Sequence, residues 1–216
     1  MIRIKKEPGI SKIIVGHHVL TQKDLNPLLI DKESLKFRPL PSSIRILTND
    51  PSMTAWGWCI MDLYDSIIDQ GCIKTETAGK KRRIRKSDET FQRISEINNV
   101  LLDVIKKHNV KYILTESPHG SQNASAAVMI GAVAGIVQTI SDCLGIGFES
   151  YSEGDSKKCL LGKNSATKKE TIDAISKIYE VKWTNIKYKD EAIADAISIY
   201  NVAMKQSSSL KLLKQR

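Results

Sequence analysis

The sequence predicts an α/β fold in which a β-sheet is covered by helices. From Ile44 onward, short apolar runs rich in β-branched residues alternate with segments of helical periodicity. The first three runs, at 44–50, 55–61 and 66–73, are joined by short connections, which favours an antiparallel meander. Two later runs, at 110–116 and 145–151, are predicted as the fourth and fifth strands.

Four helices are predicted between and after these strands. The first starts near Ser87 as a capping residue, ends near His108 and Asn109, and has one apolar face (Phe91, Ile94, Ile97, Leu101, Val104, Ile105). The second spans about 123–144 and is rich in small residues (Ala126, Ala127, Gly131, Ala132, Ala134, Gly135). The third opens in the segment 162–170 and runs to about Tyr179, and the last spans about 190–205.

The two ends of the chain have a different character. Residues 1–43 are interpreted as an N-terminal extension and linker, with a strand or hairpin around Gly16 and a helix at about 26–35. Residues 44–206 form the predicted main domain, and 207–216 a basic tail expected to fray.

Composition narrows the functional classes. The 216 residues are 41% hydrophobic and 26% charged, which suits a soluble domain with one sizeable core. No uncharged apolar run is expected to approach the roughly 18 residues of a membrane helix, and no signal peptide is evident, so a cytoplasmic protein without a membrane partner is expected. Four cysteines without CxxC spacing argue against a zinc site or a disulfide framework. The net charge of +9 favours a polyanionic partner, although it also serves solubility.

Acidic residues occupy positions that suggest a shared site. Asp50 and Glu116 each close an apolar strand, and Asp190, Glu191 and Asp195 open the last helix among alanines. Glu191 and Asp195 are four residues apart and share a helix face, while Asp190 is an alternative ligand or a helix cap. Three or four converging carboxylates suit Mg²⁺ or Mn²⁺, and two such ions promote phosphodiester hydrolysis. The alternative is that each acid forms a surface ion pair or a cap.

Basic residues complement these acids. Lys168 and Lys169 lie at a predicted helix start shortly after Lys163, where backbone N–H groups and lysines can hold a phosphate. A second basic run is either a nucleic-acid contact or a solvated loop. That run contains Lys80, Lys81, Arg82, Arg83, Arg85 and Lys86.

Taken in order, these pieces resemble the RuvC branch of the RNase H-like nucleases, the Holliday junction resolvases. The resemblance covers about 44–203 and rests on the order and spacing of short motifs. These are Asp50-Pro51-Ser52 with Gly57 downstream, Glu116 at a strand end, Gln122-Asn123-Ala124 opening a Gly/Ala-rich helix, the segment 162–169, and Ile193-Ala194-Asp195-Ala196. The compact chain is more similar to a phage or mobile-element member than to a bacterial housekeeping one.

The resemblance implies a five-stranded mixed sheet, with three antiparallel and two parallel strands flanked by helices. It implies a homodimeric, metal-dependent endonuclease that cuts four-way DNA junctions by paired nicks, with two Mg²⁺ or Mn²⁺ ions in each site. Asp50, Glu116 and Asp195 are the implied metal ligands, and Lys168 or Lys169 the lysine that contacts phosphate. Other RNase H-like activities on hybrids or flaps, or a non-catalytic nucleic-acid-binding module, are the alternatives.

Three departures from the bacterial pattern stand out. The residue three before Asp195 is Ala192 instead of a second aspartate, which leaves Glu191, favoured on helical geometry, or Asp190 as the fourth ligand. The aromatic wedge expected shortly after the strand-end glutamate is replaced by 118–120, Pro-His-Gly. Residues 1–43 and the basic run have no counterpart in the compact core, which suggests a broader choice of branched DNA.

Overall fold

A computed structural model describes residues 2–7, 10–15, 18–20, 44–77, 85–117, 120 and 122–215. The chain forms two compact units, residues 1–42 and 43–216. In the first, strands Ile2–Glu7 (β1), Ile10–Val15 (β2) and His18–Leu20 (β3) pair antiparallel, which agrees with the hairpin predicted within 10–20. The helix predicted at 26–35 and the linker before residue 44 lie outside the described residues.

The second unit is built on a five-stranded sheet in the order β6-β5-β4-β7-β8. Its strands are Arg45–Asp50 (β4), Ala55–Met61 (β5), Ile67–Lys74 (β6), Val110–Glu116 (β7) and Gly147–Tyr151 (β8). Strands β4, β5 and β6 pair antiparallel, whereas β7 pairs parallel with β4 and with β8. The predicted mixed sheet of three antiparallel and two parallel strands is therefore confirmed.

Helices cover both faces of this sheet. They are Lys86–His108 (α1), Ala124–Leu144 (α2), Glu153–Leu161 (α3), Lys168–Ile178 (α4), Lys187–Gln206 (α5) and Ser208–Lys214 (α6). One core lies under α1 and α2 and includes Leu47, Ile113 and Leu101. The other lies under α5 with α4 and α6 and includes Ile46 and Leu114. Because side chains alternate along a strand, neighbouring residues of β4 and β7 enter different cores.

Helix α3 was not predicted, whereas α4 begins at Lys168, inside the segment 162–170 in which the sequence predicted its start. The Ser152 side chain caps α3 by accepting a hydrogen bond from the Asp155 N–H, and Gly162 ends the helix with φ of 74°. A nine-residue helix with a weakly amphipathic pattern leaves little periodicity to detect. Its capping serine and first-turn acids are the signals that the sequence does contain.

Several local predictions for α1 and the C-terminus are wrong. Helix α1 starts at Lys86 with Arg85 as its N-cap residue, so Ser87 lies inside the helix instead of capping it. Phe91 is 67% exposed and does not belong to the apolar face that packs on the sheet. The C-terminal segment is helical from Ser208, and Leu210 is fully buried in the core, so this segment is not a frayed tail.

The expectation about apolar runs is also wrong for α2. By length and composition, this 21-residue helix is apolar enough to cross a membrane. In the fold, Val133, Ile136, Val137 and Ile140 are buried against the sheet and α1, while the opposite side of the helix is open.

Candidate active site at the edge of the sheet

Strand β4 places Asp50 at the edge of the sheet on the side covered by α5. Ile46 lies in the core under α5, and alternation puts Asp50 on that same side. Asn49 points to the other side and is fully buried, where its Nδ2 donates to the Leu114 carbonyl at 2.7 Å and its Oδ1 accepts from Trp56 Nε1 at 3.2 Å. These bonds tie the end of β4 to both neighbouring strands and so fix the backbone beside Asp50.

Glu116 ends the adjacent parallel strand and faces the same way. Asn49 pairs with Thr115 in the parallel register, so Asp50 and Glu116 follow directly at the carboxyl ends of β4 and β7. Leu114 lies in the core under α5, and alternation assigns Glu116 to the side of Leu114. The two strand-end acids therefore lie side by side at the carboxyl ends of two inner strands, as the sequence predicted. We call this place, together with Asp195, the acidic corner.

Helix α5 brings Asp195 to this corner because it packs unusually close to β5. Gly57 is the cross-strand partner of Asp50, and a Cβ added to Gly57 would lie 2.0 Å from the carbonyl oxygen of Ala192. Only glycine allows the helix backbone to approach the strand so closely. Asp195, one turn after Ala192, is 6% exposed.

Lys168 enters the same corner from the start of α4. Thr167 and Glu170 form a reciprocal capping box that fixes where this helix begins. The Nζ of Lys168 donates to Oδ2 of Asp195 and forms an ion pair with it. Lys168 was predicted to contact phosphate; in the protein alone it neutralises one of the acids.

The surroundings of the three acids disfavour their charged forms. Burial raises the pKa of Asp50 to about 7, and the Asp195 charge adds to that shift. Burial raises the pKa of Glu116 to about 8, with further contributions from Asp50 and Asp195. Burial also raises the pKa of Asp195, against the opposing charge of Lys168. Because Asp195 raises the pKa of Asp50 and both raise the pKa of Glu116, an added cation is stabilised among these acids.

A divalent cation suits these side chains, because carboxylate oxygens are common ligands of hard cations such as Mg²⁺. No described residue donates a hydrogen bond to the Asp50 carboxylate. As they stand, no three Asp, Glu, His or Cys side chains among the described residues are arranged to ligate one ion. The Lys168 ammonium supplies a positive charge against Asp195 in the protein alone.

The two candidates for a fourth ligand differ in their surroundings. Asp190 is buried, and its Oδ1 accepts hydrogen bonds from the N–H of Thr184 at 2.8 Å and from its Oγ1 at 2.7 Å. Asp190 lies within α5 and binds the loop that precedes this helix, so the prediction that Asp190 caps the helix is wrong. Glu191 is half-buried and lies one turn before Asp195 on α5.

The predicted phosphate-contacting residues have varied surroundings. Lys163 pairs with Glu170, and Lys169 is exposed beside Lys168 on the first turn of α4. Arg85 is exposed and pairs with Asp88 at 2.9 Å. The other basic-run candidates, Lys80, Lys81, Arg82 and Arg83, lie outside the described residues.

One acidic residue near the site was missed by the sequence analysis. Glu153 is the first residue of α3, and its charge raises the pKa of Asp50, Glu116 and Asp195 alike. The acidic first turn after Ser152 is the signal that marks it, but that turn was not recognised as a helix start.

Comparison with known proteins identifies the family. The family model for crossover junction endodeoxyribonuclease RuvC matches residues 46–202, a span that contains both strand-end acids and Asp195. The chain belongs to the RuvC family. RuvC from Orientia tsutsugamushi is 24% identical over 154 residues, covering 70% of this chain and 91% of that protein. RuvC from a Wolbachia of Brugia malayi is 26% identical over 167 residues, covering 76% and 96%.

Solved structures of RuvC relatives have the same fold. Thermus thermophilus RuvC in complex with a Holliday junction substrate matches with a TM-score of 0.59 at 18% identity, covering 74% of this chain and 92% of that one. The yeast mitochondrial Holliday junction resolvase matches with a TM-score of 0.56 at 14% identity, covering 80% and 82%. The RNase H-like architecture of RuvC is thus confirmed, whereas an origin in a phage or mobile element stays a prediction.

The buried acids predict how stability varies with pH. The folded protein holds protons on Asp50 and Glu116 up to about pH 7 and 8, whereas the unfolded chain releases them near the ordinary values of 3.8 and 4.5. Because the folded state binds more protons in this interval, the free energy of unfolding should fall as pH rises from about 4 to about 8. Thermal melts without divalent ions test this. The stability of the double variant Asp50→Asn, Glu116→Gln should fall less steeply with pH. An equal slope would contradict the raised pKa values of these two acids.

Proposed function

We propose that this protein is a metal-dependent endonuclease that resolves four-way DNA junctions by paired nicks, in DNA recombination and repair. The observation that carries the proposal is the convergence of Asp50, Glu116 and Asp195 at one edge of a RuvC-type sheet. Metal dependence is general to RuvC-family nucleases, and the neighbouring carboxylates of Asp50, Glu116 and Asp195, among which Asp195 raises the pKa of Asp50 and both raise the pKa of Glu116, support it here. We further propose that the metal is Mg²⁺ or Mn²⁺ and that each site takes two ions.

The chain's own residues define how such a site would work. Asp50 and Glu116, held at fixed strand ends, present carboxylate oxygens on one side, and Asp195 presents another from α5. When bound, two divalent ions would activate water and stabilise the leaving oxygen of a phosphodiester. Lys168 lies against Asp195 in the protein alone and would be released toward substrate phosphate as that negative charge is neutralised. Lys169 is exposed beside Lys168 and would extend the positive charge toward the DNA backbone, while Lys163 pairs with Glu170 in the protein alone.

A panel of substrates tests this function. Wild-type protein is incubated with a synthetic four-way junction, a flap, a plain duplex and an RNA–DNA hybrid, first with Mg²⁺ and then with Mn²⁺. Symmetric nicks in opposing arms of the junction, absent with EDTA, are the expected result. Preferred cutting of the hybrid or the flap would instead favour one of the other RNase H-like activities, and binding without any cutting would indicate a non-catalytic module.

Paired nicks require two active sites, and the open face of α2 supports a homodimer. Val128, Gly131, Gly135 and Thr139 are all exposed and follow one side of this helix. A Cβ added to Gly131 or Gly135 would meet nothing within 4 Å, so these small residues serve no close packing within the described part of the chain. An exposed helix face of small residues lets another helix approach closely, and we assign it to a second copy of the chain across a twofold axis.

The dimer proposal predicts a specific loss of association. Gly135→Arg places a long charged side chain in open space, so the fold should persist while the two α2 faces are forced apart. Sedimentation velocity should show a dimer for the wild type and a monomer for this variant. Leu212→Arg is the matched control, because Leu212 is 61% exposed and belongs to α6 instead of the α2 face. This variant should remain a dimer. A monomeric wild type, or a dimeric Gly135→Arg variant, would contradict the assignment.

A further inference from the structure

Helix α5 has no second aspartate three residues before Asp195, and the surroundings of the nearby acids narrow the choice of a fourth carboxylate. Ala192 stands three residues before Asp195, and its backbone is packed against Gly57, so no ligand comes from this position. Asp190 is held by two hydrogen bonds from Thr184. Glu191, half-buried one turn before Asp195, is the remaining acid of this helix near the site.

Glu153 reaches the same corner from a different element. Tyr151, the last residue of β8, pairs with Glu116 in the parallel register, and the Ser117 N–H donates to the Tyr151 carbonyl at 2.7 Å. Ser152 then caps α3, whose first residue is Glu153. Helix α3 packs against α5, which carries Asp195. Glu153 therefore lies between the strand that ends in Glu116 and the helix that holds Asp195.

A lysine accompanies this glutamate. Lys157, one turn further along α3, pairs its Nζ with Oε1 of Glu153, and its side chain is only 12% exposed. Its charge also acts on Asp195, whose pKa it lowers. A lysine is rarely placed in so buried a position unless it is paired, so Lys157 is a built-in counter-charge of the acidic corner.

We propose that Glu153 is the fourth carboxylate of the metal site, supplied by the first turn of α3, with Lys157 holding it in position while the metal is absent. This inference rests on the proposed function only in taking the acidic corner as a metal site. It moves the fourth ligand from the last helix, where the sequence placed it at Glu191, to an element that follows β8.

Metal binding without DNA tests the assignment. Mn²⁺ is titrated into the protein, and the free ion is measured by electron paramagnetic resonance. Glu153→Gln should weaken Mn²⁺ binding by about 10-fold or more, on the scale seen when the groups that support metal ligands are altered. Glu96→Gln, an exposed glutamate on α1, is the matched control and should bind Mn²⁺ like the wild type. Loss of binding in Glu191→Gln with wild-type binding in Glu153→Gln would overturn the proposal, as would wild-type binding in both.

Two further measurements separate the loss of a metal ligand from the effect of an unpaired Lys157 and from a failure of the proposed function. Because Glu153→Gln leaves Lys157 buried without its partner, the double variant Glu153→Gln, Lys157→Gln removes both charges and should also lose Mn²⁺ affinity if the fold is kept. Junction cleavage by the wild type is measured separately. Cleavage by the wild type together with unchanged Mn²⁺ binding in Glu153→Gln would reject Glu153 alone; Mn²⁺ binding that depends on Glu153 without any nuclease activity would reject the function alone.

Discussion

Asp50→Asn should abolish junction cleavage while leaving junction binding intact. The substitution keeps the size of the side chain but removes the carboxylate charge that no described residue neutralises by a hydrogen bond. Loss of one preorganised electrostatic contact lowers kcat by about 100-fold or more. Binding is expected to persist because it depends mainly on basic residues that contact the DNA backbone.

Cleavage and gel-shift assays on the same four-way junction measure the two effects separately. Asp103→Asn is the matched control, since Asp103 is exposed on α1 and the change removes the same charge from the protein. This control should cut and bind like the wild type. Full cleavage by Asp50→Asn would remove Asp50 from the mechanism, and loss of binding along with cleavage would mean that the residue supports the fold or the DNA interface instead.

Gly57→Ala should lower junction cleavage although Gly57 contributes no side chain to the site. The added Cβ would stand 2.0 Å from the Ala192 carbonyl oxygen, so α5 must move away from β5 and carry Asp195 with it. Overpacking of this kind costs about 1–3 kcal/mol of unfolding free energy. Because Gly57 is the cross-strand partner of Asp50, the separation between Asp50 and Asp195 should change, and cleavage should fall even in protein that remains folded.

Chemical denaturation and junction cleavage check this prediction together. Gly120→Ala serves as the control for denaturation, because a Cβ at Gly120 would meet nothing within 4 Å and its unfolding free energy should not fall. If Gly57→Ala is as stable and as active as the wild type, the close approach of α5 to β5 does not position the site.

The sequence predicted the framework of this site because its signals are local. The strands ending in Asp50 and Glu116 are short apolar runs stopped by turn residues, and the structure places their ends where the pattern indicated. Parallel pairing of β4 and β7 then brings the two acids together. The alanines around Asp195 indicated close packing against the sheet, and the contact between Ala192 and Gly57 confirms it.

The remaining features depend on contacts between distant segments, which a local pattern does not contain. Lys168 and Asp195 are 27 residues apart, and nothing in either segment indicates that they pair. Glu153 was missed because α3 is short and only weakly amphipathic, so its capping serine was the main signal. Phe91 fits the apolar spacing of α1 yet lies exposed, because periodicity assigns a face of a helix without showing how far the sheet beneath it extends.

The most direct test of the account is a crystal structure of the protein soaked with Mn²⁺, with the ions located by anomalous scattering. The account predicts a peak bounded by the carboxylates of Asp50, Glu116 and Asp195 at about 2.1 Å from their oxygens, with a second peak about 4 Å away and the Lys168 ammonium displaced from Asp195. Saturating Mn²⁺ that leaves this corner empty, with the Lys168–Asp195 pair intact, would contradict it.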